Sequence, residues 1–513
     1  MSTHTEPVLK RRAFLGMAAA GAAALAVPGI ALAASPRGPT PADWTALAHD
    51  LSGQLVRPSE AFYTIARRLF DPRFDSISPA GIAYCKSPHD VATCLAFVRK
   101  FKLPVSARCG GHSYAGYSTN SGGLVVDVSR MAGVGFSGTT ATVAAGTRLV
   151  DLYNSLAARG RAIPGGSCPT VGISGLTLGG GIGVVARAYG LTSDNLESVQ
   201  IVTANGAILT ANAKQHADLY WACRGGGGGN FGVVTSFTFS THPAPTPVLF
   251  FLSWPWSQAA KVVSAWQSWA PHAPDALWSN LHLAAVPGGS TPAVHVGGCY
   301  LGSIGGAANL LDQLYAKVGS HPSGYFLNQF SYLNAMLLEA GCSSLGYQAC
   351  HLPWQVQGGR LNRQPQYAKS DFFTRPLSAA GISTLLRGIQ NLRQVAGAKG
   401  GGGGIAFDAL GGAVNRVAPS ATAFVHRNAL FGAQYTTDWD YGAASPGVER
   451  QHAWLRSFWT SMRPYASGQA YQNYIDPDLT NWRQAYYGAN LPRLQQVKKT
   501  YDPTRLFTFP QAV

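Results

Sequence analysis

The chain has 513 residues, 46% hydrophobic and only 12% charged, enough to bury large cores and too apolar for a disordered or coiled-coil protein. Its 60 glycines and 31 prolines follow no Gly-X-Y period, which excludes collagen and predicts an irregular, loop-rich α+β protein of two domains. The formal charge of +16 suits an extracytoplasmic protein that meets acidic surroundings or substrates, and no Lys/Arg block with interleaved aromatics points to a nucleic-acid partner.

Lys10-Arg11-Arg12-Ala13-Phe14-Leu15-Gly16 precedes an apolar run from Met17 to Ala34, and Ala31-Leu32-Ala33 supplies the small residues a signal peptidase needs. Residues 1–33 therefore read as a twin-arginine signal, handed to the twin-arginine translocase and then removed, with residues 34–77 as a lead-in. A short membrane anchor is the competing reading, disfavoured because the run is rich in Ala and Gly and barely long enough to span. This route moves folded proteins, so a tightly held cofactor loaded in the cytoplasm is expected. The mature chain, periplasmic or secreted, is expected where disulfides persist.

Asp90 opens a helical stripe of Val91, Cys94, Leu95 and Val98, which makes Cys94 a core residue. Gly123 to Val128 reads as a buried strand and Ala141 to Ala145 as another. Leu149, Leu152, Tyr153 and Leu156 recur at helical spacing, with Gly160 as the stop. The Pro-rich stretch from His242 to Pro247 separates a first region, 78–247, from a second, 248–464, which has fewer glycine clusters apart from Gly400 to Gly404. Residues 465–513 are again dense in Tyr, Asn, Gly and Pro. Of the eight cysteines, none has zinc-site spacing with histidines, so no metal is expected. Cys342 and Cys350, in a loop-like stretch, are the best candidates for a local disulfide.

Three clusters carry chemistry. In Arg108-Cys109-Gly110-Gly111-His112-Ser113-Tyr114, two glycines let the backbone approach a ligand and leave amides free for anionic oxygens, beside a histidine that can act as nucleophile or ligand. Gly165 to Gly183 mixes glycines with small hydroxyl residues around Cys168, a surface of free N–H groups suited to a pyrophosphate, although it lacks the fingerprint of a Rossmann site. Arg224 to Val234 brings more bare backbone into the same half of the chain.

Their order, with Tyr189 to Asn195, the Tyr-Gln-Asn-Tyr motif of Tyr471 to Tyr474 and Tyr486 to Asn490, resembles the berberine-bridge-enzyme-like branch of the vanillyl-alcohol-oxidase flavoproteins over roughly Ser78 to Val513. The resemblance implies FAD in a two-part domain to which the tail returns, and an inserted substrate domain whose antiparallel sheet roofs the flavin. It implies that His112 bonds the flavin 8α carbon and Cys168 bonds C6, so that FAD is bicovalent. Imidazole and thiolate are the side chains nucleophilic enough for such additions. The remaining flavin contacts fall to Arg108, Gly110, Gly111, Ser113, Val171, Gly172, Ser174, Gly175, Gly180, Gly181, Val234 and Asn473.

Tyr471 and Asn473 are expected on one face of a strand and Tyr474 on the other. The resemblance places the first tyrosine over the flavin, as the base that takes the substrate hydroxyl proton while hydride leaves the carbon. Its phenol needs activation; Asp408 is a candidate partner, with Tyr114 and Gln434 as pocket wall. Val171 matches a small gating position associated with oxygen access, which favours an oxidase. Ile182 and Leu176 depart from relatives that carry an aromatic residue and a histidine there. The leading expectation is an exported FAD oxidase of hydroxyl groups, on a carbohydrate or a secondary metabolite, with oxygen as the second substrate. The alternatives are a flavin dehydrogenase or oxidative cyclase, distinguished by slow reoxidation in air, and a secreted flavoprotein that binds carbohydrate without turnover.

Overall fold

A computed structural model describes residues 38–289 and 291–513, so the expected export signal lies outside the described residues. The chain enters through three parallel strands, Gly81–Tyr84, Val105–Arg108 and Leu124–Asp127, with Gln54–Val56 antiparallel on one edge. The helix Pro88–Phe101 makes the crossover from Gly81–Tyr84 to Val105–Arg108, the two strands that flank Leu124–Asp127. Ser87 caps its first turn by accepting from the Asp90 amide, proline occupies the start, and Lys102 ends it in the left-handed conformation at φ 52. Val91, Cys94, Leu95 and Val98 are fully buried, and each large apolar side chain among them contributes about 1.5–3 kcal/mol.

A five-stranded antiparallel sheet follows, in the order Val134–Ser137, Thr140–Ala144, Val233–Ser240, Leu196–Val202, Ile208–Asn212. The helix Leu149–Ala157 packs on the same core through Leu149, Leu152, Tyr153 and Leu156, and the chain turns at Gly160 with φ 63. From Val248 onward the chain builds a seven-stranded antiparallel sheet. Its order is Gly324–Gln329, Val248–Trp254, Ala293–Tyr300, Leu277–Ala285, Gly402–Ala409, Phe431–Asp438, Gln366–Phe373.

Period-two alternation gives that sheet two faces. Leu277, Leu281 and Leu283 enter a core with Trp266, Leu311, Leu385 and Phe458 from the covering helices, whereas Trp278, Asn280 and His282 face the opposite way, into the cavity described below. The glycine cluster at residues 400–404 runs into the strand Gly402–Ala409: a Cβ on Gly404 would stand 2.2 Å from the Leu283 carbonyl oxygen, so glycine there permits close pairing.

The tail packs into the first core through Leu479, Trp482, Tyr486, Leu494, Val497 and Val513. Lys498, buried, donates to the carbonyls of Asn230 and Phe507, each at 2.6 Å, and pairs with Asp502 at 2.7 Å. Cys342 and Cys350 form a disulfide. Among the described residues no helix is long and apolar enough to cross a membrane.

Candidate active site

A cavity of about 590 Å³ lies between the cavity face of the seven-stranded sheet and the three glycine-rich segments. The segment after strand Val105–Arg108 turns at Gly111, φ 71, and runs so close to the second segment that a Cβ on Gly110 would meet the Gly172 amide nitrogen at 2.4 Å. This places His112 on the cavity wall, stacked on Phe70 with ring centroids 4.1 Å apart. Its Nε2 lies 2.9 Å from Thr170 Oγ1, and Nδ1 has no hydrogen-bond partner among the described residues. Burial drops the His112 pKa to about 3, so the ring is neutral and carries a free lone pair at neutral pH.

Cys168 is exposed to the cavity, its Sγ 4.0 Å from the same Thr170 hydroxyl. One buried threonine thus stands between the two side chains expected to anchor a flavin. Burial raises the thiol's pKa, while Thr170 and the Val171 amide pull it down.

Gly110, Gly111, Ser113, Val171, Gly172, Ser174, Gly175, Val234 and Asn473 also line the cavity. Arg108 also lines the cavity: its Nε pairs with Asp127 on the neighbouring strand and its Nη2 donates to the Ala66 carbonyl at 2.8 Å, which leaves Nη1 buried without a partner among the described residues. Two other expected contacts need correction. Gly180 and Gly181 are not on the wall: the chain turns there with φ 116 and 86, Gly180 packs on Phe424, and the Gly181 amide points to Tyr471.

The expectation of a strand at Tyr471 to Tyr474 is also overturned. The segment is a turn, with the Tyr474 amide donating to the Tyr471 carbonyl at 2.9 Å, so the side chains do not alternate between faces. Both tyrosines line the cavity, their rings edge to face with centroids 4.9 Å apart. The Tyr471 oxygen accepts from the amides of Gly181 (3.0 Å) and Ile182 (3.3 Å) and from Asn473 Nδ2 (2.9 Å).

Asp408, opposite Asn280 across the strand pair, faces the same space, and burial pushes its carboxyl up to about 6. Tyr114 Oη accepts from Gln434 Nε2 at 2.8 Å, and its ring stacks on Tyr474 at 5.8 Å. Burial pushes the Tyr114 phenol well above its ordinary value, which suits a wall residue better than a base.

Two family models match the chain: an FAD binding domain over residues 79–212 and the berberine and berberine-like model over residues 470–513. An uncharacterized FAD-linked oxidoreductase of Bacillus subtilis (strain 168) is 34% identical over 477 residues, covering 90% of this chain and 97% of its own length. The chain belongs to the berberine-bridge-enzyme-like FAD-linked oxidoreductases. Among solved structures, BBE-like 1 of Physcomitrella patens superimposes with a TM-score of 0.82 at 31% identity, covering 92% of this chain and 98% of that one. A chitooligosaccharide oxidase gives 0.80 at 25% identity, covering 91% and 98%.

The residues present fit FAD. In this FAD-linked oxidoreductase, bare backbone from all three glycine segments meets in one cavity; a Cβ on Gly175 would stand in open space, and Gly228 faces it across the gap. The cavity is also of cofactor size, within roughly 300–1,000 Å³.

Sequence reasoning missed Glu339, Trp278, Asn280 and His282, all on the cavity wall. Glu339 Oε1 is buried without a partner, and burial with the nearby Asp408 raises the carboxyl's pKa to about 7. A signal existed: Glu339 is the single Asp, Glu, Lys or Arg between Lys317 and Arg360. Trp278, Asn280 and His282 left no motif, because alternate positions on one strand become a wall only when the sheet meets the loops.

Proposed function

We propose that this enzyme oxidises a hydroxyl group of a carbohydrate-like small molecule, with Tyr471 as the base that receives the hydroxyl proton. The observation that carries the reading is the meeting of Tyr471, Asp408, His112 and Cys168 on one cavity, although they come from the tail turn, the sheet and two separate loops. Aromatic rings of Tyr114, Tyr474 and Trp278 beside the amides of Asn280 and Gln434 suit a polyhydroxylated ligand, which offers apolar faces and hydroxyl edges. Similarity to a chitooligosaccharide oxidase supports that substrate class.

FAD would be held by His112 through Nδ1 and by Cys168 through Sγ, and when bound supplies the two-electron acceptor for hydride from the carbinol carbon, returning the electrons to oxygen as hydrogen peroxide. Thr170 orients both anchors: it occupies Nε2 of His112, which leaves the other ring nitrogen as nucleophile. Val171, small and on the cavity wall, supports oxygen as the final acceptor. Export through the twin-arginine route, after loading, is part of the same reading and rests on Arg11 and Arg12 with the apolar run behind them.

The test is an anaerobic screen of sugars and hydroxylated metabolites for bleaching of the flavin spectrum, followed by admission of oxygen. A substrate found this way should reduce Tyr471→Phe about 10²–10⁴-fold more slowly, with reoxidation unchanged, because only the reductive step needs the proton removed. Reduction at the unmodified rate in that variant would remove Tyr471 from the role.

A further inference from the structure

The Tyr471 oxygen has more donors than a phenol can accept. Gly181 N and Ile182 N are backbone amides, which can only donate. Asn473 would be ambiguous, except that its Nδ2 also donates to the Leu176 carbonyl at 3.0 Å; a carbonyl only accepts, so the nitrogen end of the amide is fixed there and its second N–H is the one facing Tyr471. A neutral phenol oxygen offers two lone pairs and needs an acceptor for its own hydrogen. Here three N–H groups converge on it, and the hydroxyl hydrogen has no acceptor among the partners of Tyr471. A phenolate oxygen, with three lone pairs and no hydrogen, matches the count.

The loop is shaped for this arrangement. Gly180 and Gly181 take positive φ, so successive amides turn inward, and a Cβ on Gly179 would stand 1.9 Å from Asn473 Oδ1, where it would drive the amide away. Such a nest of inward amides is a fixed partial positive charge. No lysine, arginine or histidine is among the partners of the oxygen. Phe372 and Phe424 wall the ring edge-on at 6.1 Å each, and His426, stacked behind Phe372, is held neutral by burial. The titratable groups that face Tyr471 are Asp408 from the sheet, Tyr474 from its own turn and Tyr114 from the first loop, none of them cationic.

We propose that Gly181, Ile182 and Asn473 hold Tyr471 as a phenolate in the resting enzyme, so that the loop backbone takes the place of a cationic side chain in preparing the base. Gly179, Gly180 and Gly181 are then kept small to build this nest, with Asn473 as its adjustable member. Burial and Asp408 push the phenol the other way. The donor count decides, because a neutral phenol has two lone pairs for three N–H groups and would leave one buried N–H unpaired. The consequence for the reaction rests on Tyr471 being the base: the substrate O–H bond breaks, its proton forms the Tyr471 O–H bond on the lone pair that one of the three N–H groups gives up, and the electron pair left on the substrate oxygen becomes part of the carbonyl as hydride departs.

The test uses flavin-loaded enzyme without substrate, comparing the tyrosinate absorption of the unmodified protein with that of Tyr471→Phe across pH. The unmodified protein should carry one extra tyrosinate at neutral pH. Asn473→Leu should move its titration upward by about one to two pH units, a roughly 10–100-fold loss of phenolate at a given pH. Flavin reduction in Asn473→Leu should then rise with pH across the neutral range, where the unmodified enzyme is flat. Coincident spectra of the unmodified protein and Tyr471→Phe up to the onset of alkaline unfolding would overturn the proposal, whether or not the leucine variant folds. So would an unmoved titration in a folded Asn473→Leu protein. A tyrosinate that is present while Tyr471→Phe still reduces its flavin at full rate would uphold the nest and sink Tyr471 as base. A neutral phenol with reduction lost in Tyr471→Phe would do the reverse.

Discussion

His112 and Cys168 answer differently to burial. Desolvation disfavours the charged form, so it leaves the imidazole neutral and nucleophilic but raises the thiol's pKa, away from the reactive thiolate. Cys168 therefore depends more on what surrounds it, which gives the shared Thr170 hydroxyl its importance. After acid denaturation the unmodified protein should stay yellow, His112→Ala and Cys168→Ala should each keep FAD through the remaining bond, and the double variant should release it. Colourless protein from the unmodified enzyme would contradict both attachments. Both side chains were legible in the sequence as candidates, because each sits in a run of small residues around one reactive group, but their expected role as anchors came from the order of the motifs and the family it resembles. Arg108 was legible as part of the same run, but its ion pair was not, because only the pairing of its strand with the one carrying Asp127 brings that carboxylate to its Nε.

Elements decided what faces the cavity. Alternation along Leu277–Ala285 and Gly402–Ala409 sends Asn280 and Asp408 to one side as directly opposed residues, while Leu281 and Phe407 enter the helix-covered core. The position leaves Asp408 poorly solvated, with a folded-state value of about 6 against an ordinary 3.8. At pH below both values the carboxyl is protonated, folded or unfolded, and the burial has no ionisation cost. As pH rises from 3.8 the unfolded chain ionises first and stability falls, until above about 6 the full cost is present. Asp408→Asn should therefore stabilise the protein at pH 8 by up to about 3 kcal/mol and much less at pH 4.5, read as the shift in urea midpoint at each pH. An equal gain at both would show that ionisation is not the source. The Tyr471 segment shows the opposite relation between pattern and element. A strand was expected there, but without a partner strand the Tyr474 amide closes onto the Tyr471 carbonyl, and a turn sets both rings on the same wall.

At the scale of the whole molecule the chain closes on itself. Val513 donates its amide to Asn230 Oδ1 at 3.0 Å, Lys498 donates to the same asparagine's carbonyl, and Gln472 Nε2, within the Tyr471 turn, donates to the Gly225 carbonyl at 2.6 Å, so the tail is tied to the third glycine segment. Export, if it follows loading, must carry this closed form. Changing Arg11 and Arg12 together to Lys should leave flavin-containing precursor in the cytoplasm, because the twin-arginine receptor reads the pair while the general route needs mainly charge and an apolar run. Fractionation that finds undiminished export would assign the chain to the general route and move flavin attachment outside the cytoplasm.

The sequence by itself determined the family, the cofactor class, the helices at Pro88–Phe101 and Leu149–Ala157 and the Cys342–Cys350 disulfide, because periodicity, capping residues and motif order act between near neighbours in the chain. Tertiary structure alone decided that the Gly181 amide donates to Tyr471, that Tyr474 shares the wall with Tyr471, and that Glu339 stands near Asp408 with one oxygen unpaired. Each of these joins residues far apart in sequence or turns on a backbone direction that no local pattern sets. A glycine's amide or a lone carboxylate has a partner only once folding has chosen its direction, and that direction depends on the whole set of loops packed around it.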